Sequence, residues 1–378
     1  MSAVGGRSRM QRWFPGTAHP LIVSAPMDFV TNAKLVSEVV KAEGFGFIQG
    51  GRTFKPDSPV LRSLDEQLAL AKSLLQQQQN QAQKSAGAQP ADSQTDTLPI
   101  GVGFVLYSAC AASHFGATTV PILARYRPAA VWLFAPDPEM PDTLRRVIEA
   151  LRAAAASLSA GWSPRIVVQV GTVAAAREAA ALGADVVVAQ GVDAGGHQFA
   201  RGAGIVSLVP EVRDMLRNEF PGKEVAVWAA GGIADGRGVA AALALGAEAA
   251  VLGTRYMVAT ESDAQDFKRK VILTTSDGGV STVKSQLHDH VQGNREWPSL
   301  YDGRAVVHPS YHDHQAGVGI GENEARFKAA KAGGDTSRMV TWSGTGVGLV
   351  NDELPAAEIT KKVREEAVEV IKELSMVA

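Results

Sequence analysis

A chain of 378 residues, 46% hydrophobic and 20% charged, can bury one large core or two domains. Its formal net charge of −2 supplies no basic footprint for nucleic acid or an anionic membrane surface. The lone cysteine, Cys110, excludes an internal disulfide and a cysteine-rich metal site, and suits a reducing compartment.

The N-terminal segment carries Arg7, Arg9 and Arg12 with no acidic residue before Asp28. Residues 1–14 are therefore expected to be a disordered tail. No apolar run is long enough to span a bilayer and no secretory core precedes the fold, so a cytoplasmic protein is expected, with a mitochondrial presequence left open. PLIVSA (20–25) is a continuous apolar run of the kind a strand buried on both faces requires. Thr31 or Asn32 then caps a helix carrying Leu35, Val36, Val39 and Val40, and a second strand follows over Phe45–Ile48. One strand, one helix and one strand in about thirty residues is the length of a right-handed parallel crossover.

The unit repeats. Leu61–Leu75 is a predicted helix with Leu64, Leu68 and Leu75 on one face, and Ile100–Val105 a strand. Between them, residues 76–97, rich in glutamine and poor in large apolar side chains, are expected to be a low-complexity surface excursion. Later helices are predicted over Ala111–Arg125, Thr143–Leu158, Val173–Leu182, Pro210–Phe220 and Gly236–Leu245, with Pro210 suited to a first turn. Strands are predicted over Ala129–Phe134, Arg165–Val170, Ala184–Ala189, Glu224–Ala229 and Ala249–Leu252. Eight strands separated by helix-length segments, with no hairpin turn, predict an α/β (β/α)₈ TIM barrel over residues 15–271. A doubly wound sheet is the alternative. It is disfavoured because the first strand-to-helix turn, SAPMDFVTN, lacks G-x-G-x-x-G.

Function in a parallel barrel sits at the carboxyl ends of its strands. Ala230, Gly231 and Gly232 follow the seventh, with Asp235 placed to cap the next helix, and Gly253 and Thr254 follow the eighth. Bare backbone N–H groups at these two turns predict a phosphate site. Gln169, a polar side chain near the end of RIVVQV, either faces the barrel mouth and bonds a cofactor or faces outward and satisfies helix backbone. Ala25, Pro26 and Met27 offer small bulk, fixed backbone and an apolar side chain for a flat ring. In VVVAQGVDAGGH the sixth strand delivers one imidazole, His197, through a turn in which Gly195 and Gly196 leave room for an approaching group. Beyond Ser262, Phe267–Ile272 is expected to finish the eighth helix, and residues 272–378 to form a smaller C-terminal lobe over the barrel mouth. Five histidines fall there: His288, His290, His308, His312 and His314. Their spacing matches no helical zinc motif and lacks a cysteine partner, so a cover is expected, not a metal centre. A terminal helix over Leu354–Leu374, with Ala357, Ile359, Val363, Ala367, Val370 and Ile371 inward, would cap the barrel or mediate contacts in a homodimer.

SAPM, AQGVDAGGH, AAGGIADGRG, LGTRY, WPSLYDGRAV and WSGTGVGLV together resemble the nitronate monooxygenases, formerly called 2-nitropropane dioxygenases. The resemblance covers nearly the whole chain outside the N-terminal tail and the glutamine-rich stretch. It implies a barrel holding FMN non-covalently, a nitronate or nitroalkane as small-molecule substrate, and O2 as electron acceptor. Ala25, Pro26 and Met27 would line the isoalloxazine. Gln169, Gly195, Gly196, Ala230, Gly231, Gly232, Gly253 and Thr254 would hold the rest of the cofactor. His197 would be the base, or would position an already ionised nitronate. The chain departs from the commonest family strings at Asp193, where many members carry glutamate, and at Gly103, where many carry a hydrogen-bonding side chain. An FMN-dependent NAD(P)H reductase, such as an enoyl-thioester reductase, and a flavin-free phosphate-binding barrel would share much of the pattern.

Overall fold

The structure, a computed structural model, describes residues 8–86, 97–157 and 162–377. Among the described residues eleven strands appear in chain order: β1 (Ile22–Ser24), β2 (Phe45–Gly51), β3 (Leu98–Val105), β4 (Pro128–Phe134), β5 (Arg165–Val170), β6 (Val186–Gln190), β7 (Gly196–Phe199), β8 (Ala226–Ala230), β9 (Ala249–Leu252), β10 (Thr282–Ser285) and β11 (Tyr301–Val306). Eight of them close a parallel barrel in the order β1-β2-β3-β4-β5-β6-β8-β9, with β9 pairing back onto β1. β10, β11 and β7 form a separate antiparallel sheet in which β11 is central.

The continuous apolar runs of the strands have a physical cause, since each is buried on both faces. Along β6, Val186 and Val188 point into the barrel with Phe45, Phe47, Trp132 and Trp228, whereas Val187 and Ala189 face the surrounding helices. The helices start where the sequence supplies caps: Asn32 accepts from Leu35 N–H at 2.9 Å, and Thr172 from Ala175 N–H at 3.2 Å.

Four expectations need correction. The N-terminal tail is ordered from Ser8, which caps a short helix, Arg9–Trp13. Met10 and Phe14 pack against Phe45 and Trp228 across the amino end of the barrel, with the Phe14 and Phe45 ring centres 4.4 Å apart, and Arg9 pairs with Glu248 at 2.5 Å. A basic segment with two large apolar side chains thus plugs the barrel. Second, the helix begun near Leu61 runs over Pro59–Ala86, taking in half of the expected excursion, because glutamine, alanine and lysine extend a helix once Leu64, Leu68 and Leu75 anchor it. Residues 87–96 of that excursion, like Leu158, lie outside the described residues.

Third, Pro210 lies inside helix Ile205–Glu219 and not at its start, costing that helix one backbone hydrogen bond. Fourth, the eighth wall of the barrel is the C-terminal helix, Ala356–Val377, and the segment around Phe267 is a separate helix, Asp266–Thr274. Ala356, Ile359, Val363 and Ala367 join the shell between strands and helices. The helix lies between Gly236–Ala244 and Ala33–Lys41, and Arg364 donates to Pro20 O at 3.2 Å and Ala42 O at 2.8 Å. The chain therefore leaves the barrel after β9, builds the cover, and returns to close the ring. Of the inward positions expected on this helix, Val370 is half-buried and Ile371 is exposed. Among the described residues no helix is long and apolar enough to cross a membrane.

Candidate active site

A cavity of about 860 Å³ opens between the carboxyl ends of the barrel strands and the small sheet above them. Every residue singled out for a cofactor lines it: Ala25, Pro26, Met27, Gln169, Gly195, Gly196, Ala230, Gly231, Gly232, Gly253 and Thr254, together with His197.

The barrel side of this cavity is built largely of backbone. Gly231 and Gly232 take φ of 108° and 74°, a region that excludes most side chains, and a Cβ on Gly231 would stand 2.7 Å from Gly191 O. Among the described residues no protein acceptor meets the N–H groups of Gly231, Gly232 or Gly253. The nearby helix start is different. Asp235 accepts from the N–H groups of Arg237 at 3.0 Å and Gly238 at 3.2 Å, and Glu366 accepts from Gly236 N–H at 3.1 Å, so the helix N-terminus is already satisfied by the protein. The unpartnered backbone N–H groups at this end of the cavity therefore belong to the two glycine turns and not to the helix end. Thr254 Oγ1 accepts from Gly344 N–H at 3.1 Å, which leaves its hydroxyl hydrogen to donate.

The orientation of Gln169 is settled by three bonds. Trp132 Nε1–H donates to Gln169 Oε1 at 3.0 Å, Gln169 Nε2 donates to Gln190 Oε1 at 2.8 Å, and Gln190 Nε2 donates to His197 O at 3.3 Å. This directed chain crosses β4, β5, β6 and β7, and leaves Gln169 one amide hydrogen for a ligand. Gly103 has a steric role. Its Cβ would stand 2.4 Å from Pro26 Cβ, so glycine lets Pro26 lie flat at the cavity wall. Asp193 accepts from Thr345 Oγ1–H at 3.1 Å while its carbonyl accepts from Thr345 N–H at 3.0 Å. It ties the Trp342–Val350 loop to the turn before His197.

The opposite side is built of side chains. His197 lies on a strand, not in a turn, with Gly303 of β11 opposite it. Its Nε2 lies 3.1 and 2.9 Å from the two carboxylate oxygens of Asp289. Trp297 stacks on the imidazole with ring centres 3.7 Å apart and planes 9° from parallel, and Trp342 approaches at 4.8 Å. The side chains of His197 and Asp289 are 16% and 6% exposed, so the pair is largely withdrawn from water. Beside it, burial pushes the Tyr107 hydroxyl up to about 12 and raises the Asp302 carboxyl above its ordinary value against the opposing charge of Lys284.

Asp289, Trp297 and Gln190 were not legible as site residues. Asp289 stands 92 positions from His197, and its HDH string suggests at most a metal ligand. The flanking histidine does structural work instead. His288 Nε2–H donates to Val283 O at 3.0 Å, and its Nδ1 accepts from His308 Nε2–H at 3.0 Å. Burial, with His288 and Arg338 nearby, lowers His308 to about 3, so the pair is neutral. No group of three or more metal-ligating side chains occurs among the described residues.

The family model for nitronate monooxygenase matches residues 155–366. A nitronate monooxygenase of Neurospora crassa is 50% identical, the alignment covering 100% of this chain and 97% of that protein. Two solved structures share the fold. FabK of Thermotoga maritima has a TM-score of 0.70 at 23% identity, over 99% of this chain and 100% of the other. A nitroalkane oxidase of Streptomyces ansochromogenes has a TM-score of 0.67 at 24% identity, over 97% and 100%. The fold is thus shared by proteins of different names, and it is sequence identity along the full chain that distinguishes among them. By that measure the chain belongs to the nitronate monooxygenase family.

Proposed function

We propose that the protein oxidises alkyl nitronates, and the parent nitroalkanes, to a carbonyl compound and nitrite, with FMN as cofactor and O2 as electron acceptor. One observation carries this reading: the half-buried imidazole of His197 lines the same cavity as the glycine turns of β8 and β9, in a chain half identical to a nitronate monooxygenase along its length.

The residues present fit a flavin mononucleotide. The unpartnered N–H groups of Gly231, Gly232 and Gly253 with the Thr254 hydroxyl suit a phosphate, and Ala25, Pro26 and Met27 present a flat, weakly polar wall for a ring. A Cβ on Gly196 would meet nothing within 4 Å, which leaves the floor beneath His197 open. Bound there, the flavin supplies the electron-accepting chemistry and its link to oxygen. The protein supplies position and proton handling. His197 takes the acidic C–H proton of a neutral nitroalkane, and with a nitronate it holds the anion electrostatically. Trp297 and Trp342 shield the site from water, which strengthens each charge interaction in it. The amide chain from Trp132 to His197 O fixes the height of the histidine strand above the barrel.

The test is anaerobic mixing of FMN-loaded protein with nitroethane, its preformed nitronate, NADH or NADPH. The expected result is loss of flavin absorbance with the nitronate, its return on admitting air, and nitrite in the product. Loss with NADH or NADPH alone supports the reductase reading instead. Protein that takes up no flavin contradicts both.

A further inference from the structure

The His197–Asp289 contact specifies more than proximity. Both carboxylate oxygens face the same ring nitrogen, at 3.1 and 2.9 Å, and no other described group bonds that carboxylate. A buried carboxylate can only accept hydrogen bonds, so Nε2 carries the proton. In a neutral imidazole the lone pair then sits on Nδ1.

The surroundings hold both partners. Trp297 covers one face of the imidazole at 3.7 Å, and Trp342 limits its tilt, so the ring cannot rotate to exchange its nitrogens without breaking the stack. Asp289 sits on the short turn Leu287–His290, where its own N–H donates to Gln286 O and its carbonyl accepts from Asn294 N–H at 3.0 Å. The neighbouring His288 is fully buried and tied to Val283 and His308. The HDH string thus reads as an anchored carboxylate with a buried structural histidine before it.

We propose that Asp289 is the positioning residue of the site: it fixes the Nε2–H tautomer of His197, makes Nδ1 the atom that removes the substrate proton, and so admits neutral nitroalkanes as well as nitronates. The inference rests on the reading of His197 as base. In the step, the substrate C–H bond breaks, a bond forms from that proton to Nδ1, the C–H electron pair becomes the C=N bond of the nitronate, and the N=O π pair of the nitro group moves onto its oxygen. The imidazolium is then balanced by the Asp289 carboxylate, and no electrons leave the substrate in this step. A nitronate arrives without that proton and needs neither the tautomer nor the counter-charge.

The test compares kcat/KM for nitroethane and for preformed ethyl nitronate in the FMN-loaded wild type, Asp289→Asn and Asp289→Glu. The expected result is a fall of on the order of 10²-fold or more in the nitroalkane-to-nitronate ratio for Asp289→Asn, the penalty of a wrong tautomer. The isotope effect with α-deuterated nitroethane rises in the same variant, and Asp289→Glu recovers part of the ratio. A merely structural role lowers both substrates together and leaves the isotope effect in place. An unchanged ratio overturns the inference and leaves the functional reading intact, whereas a wild type that oxidises the nitronate but not nitroethane overturns the inference and cuts the functional reading back to nitronates. A wild type inert toward the nitronate overturns that reading and the inference together.

Discussion

The two sides of the cavity are made of different material. The barrel side is backbone: Gly231, Gly232 and Gly253 present N–H groups, and few side chains intrude. The lid side is side chain: Asp289, Trp297 and Trp342 each contact His197, and the four come from three separate segments. A backbone cradle suits a ligand held through phosphate and ring edges, whatever reaction it serves. A stacked imidazole hydrogen-bonded to a carboxylate suits a single proton at a fixed position. The cofactor and the proton chemistry are thus assigned to different walls, and substitutions on one wall should leave the other's observable largely alone.

Trp297→Ala should sharpen this contrast most. Without the stack at 3.7 Å, the imidazole loses its fixed plane. A misplacement of about 1 Å costs on the order of 10²-fold in rate, so turnover of nitroethane should fall by that factor while flavin content stays constant. Steady-state kinetics beside an absorbance ratio would show both. Gly231→Ala should do the reverse. Its φ of 108° and the 2.7 Å approach to Gly191 O make any Cβ strained, at about 1–3 kcal/mol, which weakens FMN by roughly 10- to 100-fold if the turn relaxes away from the cofactor. Flavin titration of apoprotein reads this.

The backbone wall and His197 were legible in the sequence, and the partners that hold His197 were not, for a physical reason. A turn that must approach a ligand through its N–H groups leaves glycine in the string itself, as at AAGG and LGT, and each turn is local. Eight buried parallel strands likewise write themselves as apolar runs. The lid contacts are long-range. Nothing in GNREWPSLY marks Trp297 as the residue that will stack on a histidine a hundred positions earlier, and HDH suggests a metal more readily than a carboxylate pointing at another imidazole. The same blindness hid the C-terminal helix as the last barrel wall, since amphipathic periodicity reports a buried face without naming what buries it. At Gly103 the sequence shows only a departure from the commonest family strings, and the structure adds a steric allowance for Pro26.

Gly103→Ala should force Pro26 out of its place at 2.4 Å, costing about 1–3 kcal/mol in stability by overpacking and weakening flavin binding about tenfold or less. Thermal denaturation with and without FMN separates the two effects. A smaller effect tests the lid alone. His308 is held near 3 by burial, against an ordinary 6.5, and His288 is lowered in the same direction. Below 6.5 the unfolded chain takes up protons that the folded lid refuses. The stability these neutral histidines contribute is complete above 6.5 and declines as pH falls toward 3, by up to about 1.4 kcal/mol per pH unit per histidine. Urea midpoints at pH 7 and pH 5 should differ less in His308→Gln than in the wild type.

The division between the walls is tested most directly by one protein, His197→Asn, read two ways in the same cuvette. Apoprotein is titrated with FMN, and the loaded variant is then mixed anaerobically with nitroethane. Flavin affinity within about threefold of wild type, together with reduction by nitroethane slowed on the order of 10²–10⁴-fold, is the predicted outcome. Loss of FMN binding in step with loss of reduction, or reduction at the wild-type rate, would contradict the assignment of cofactor and proton to separate walls.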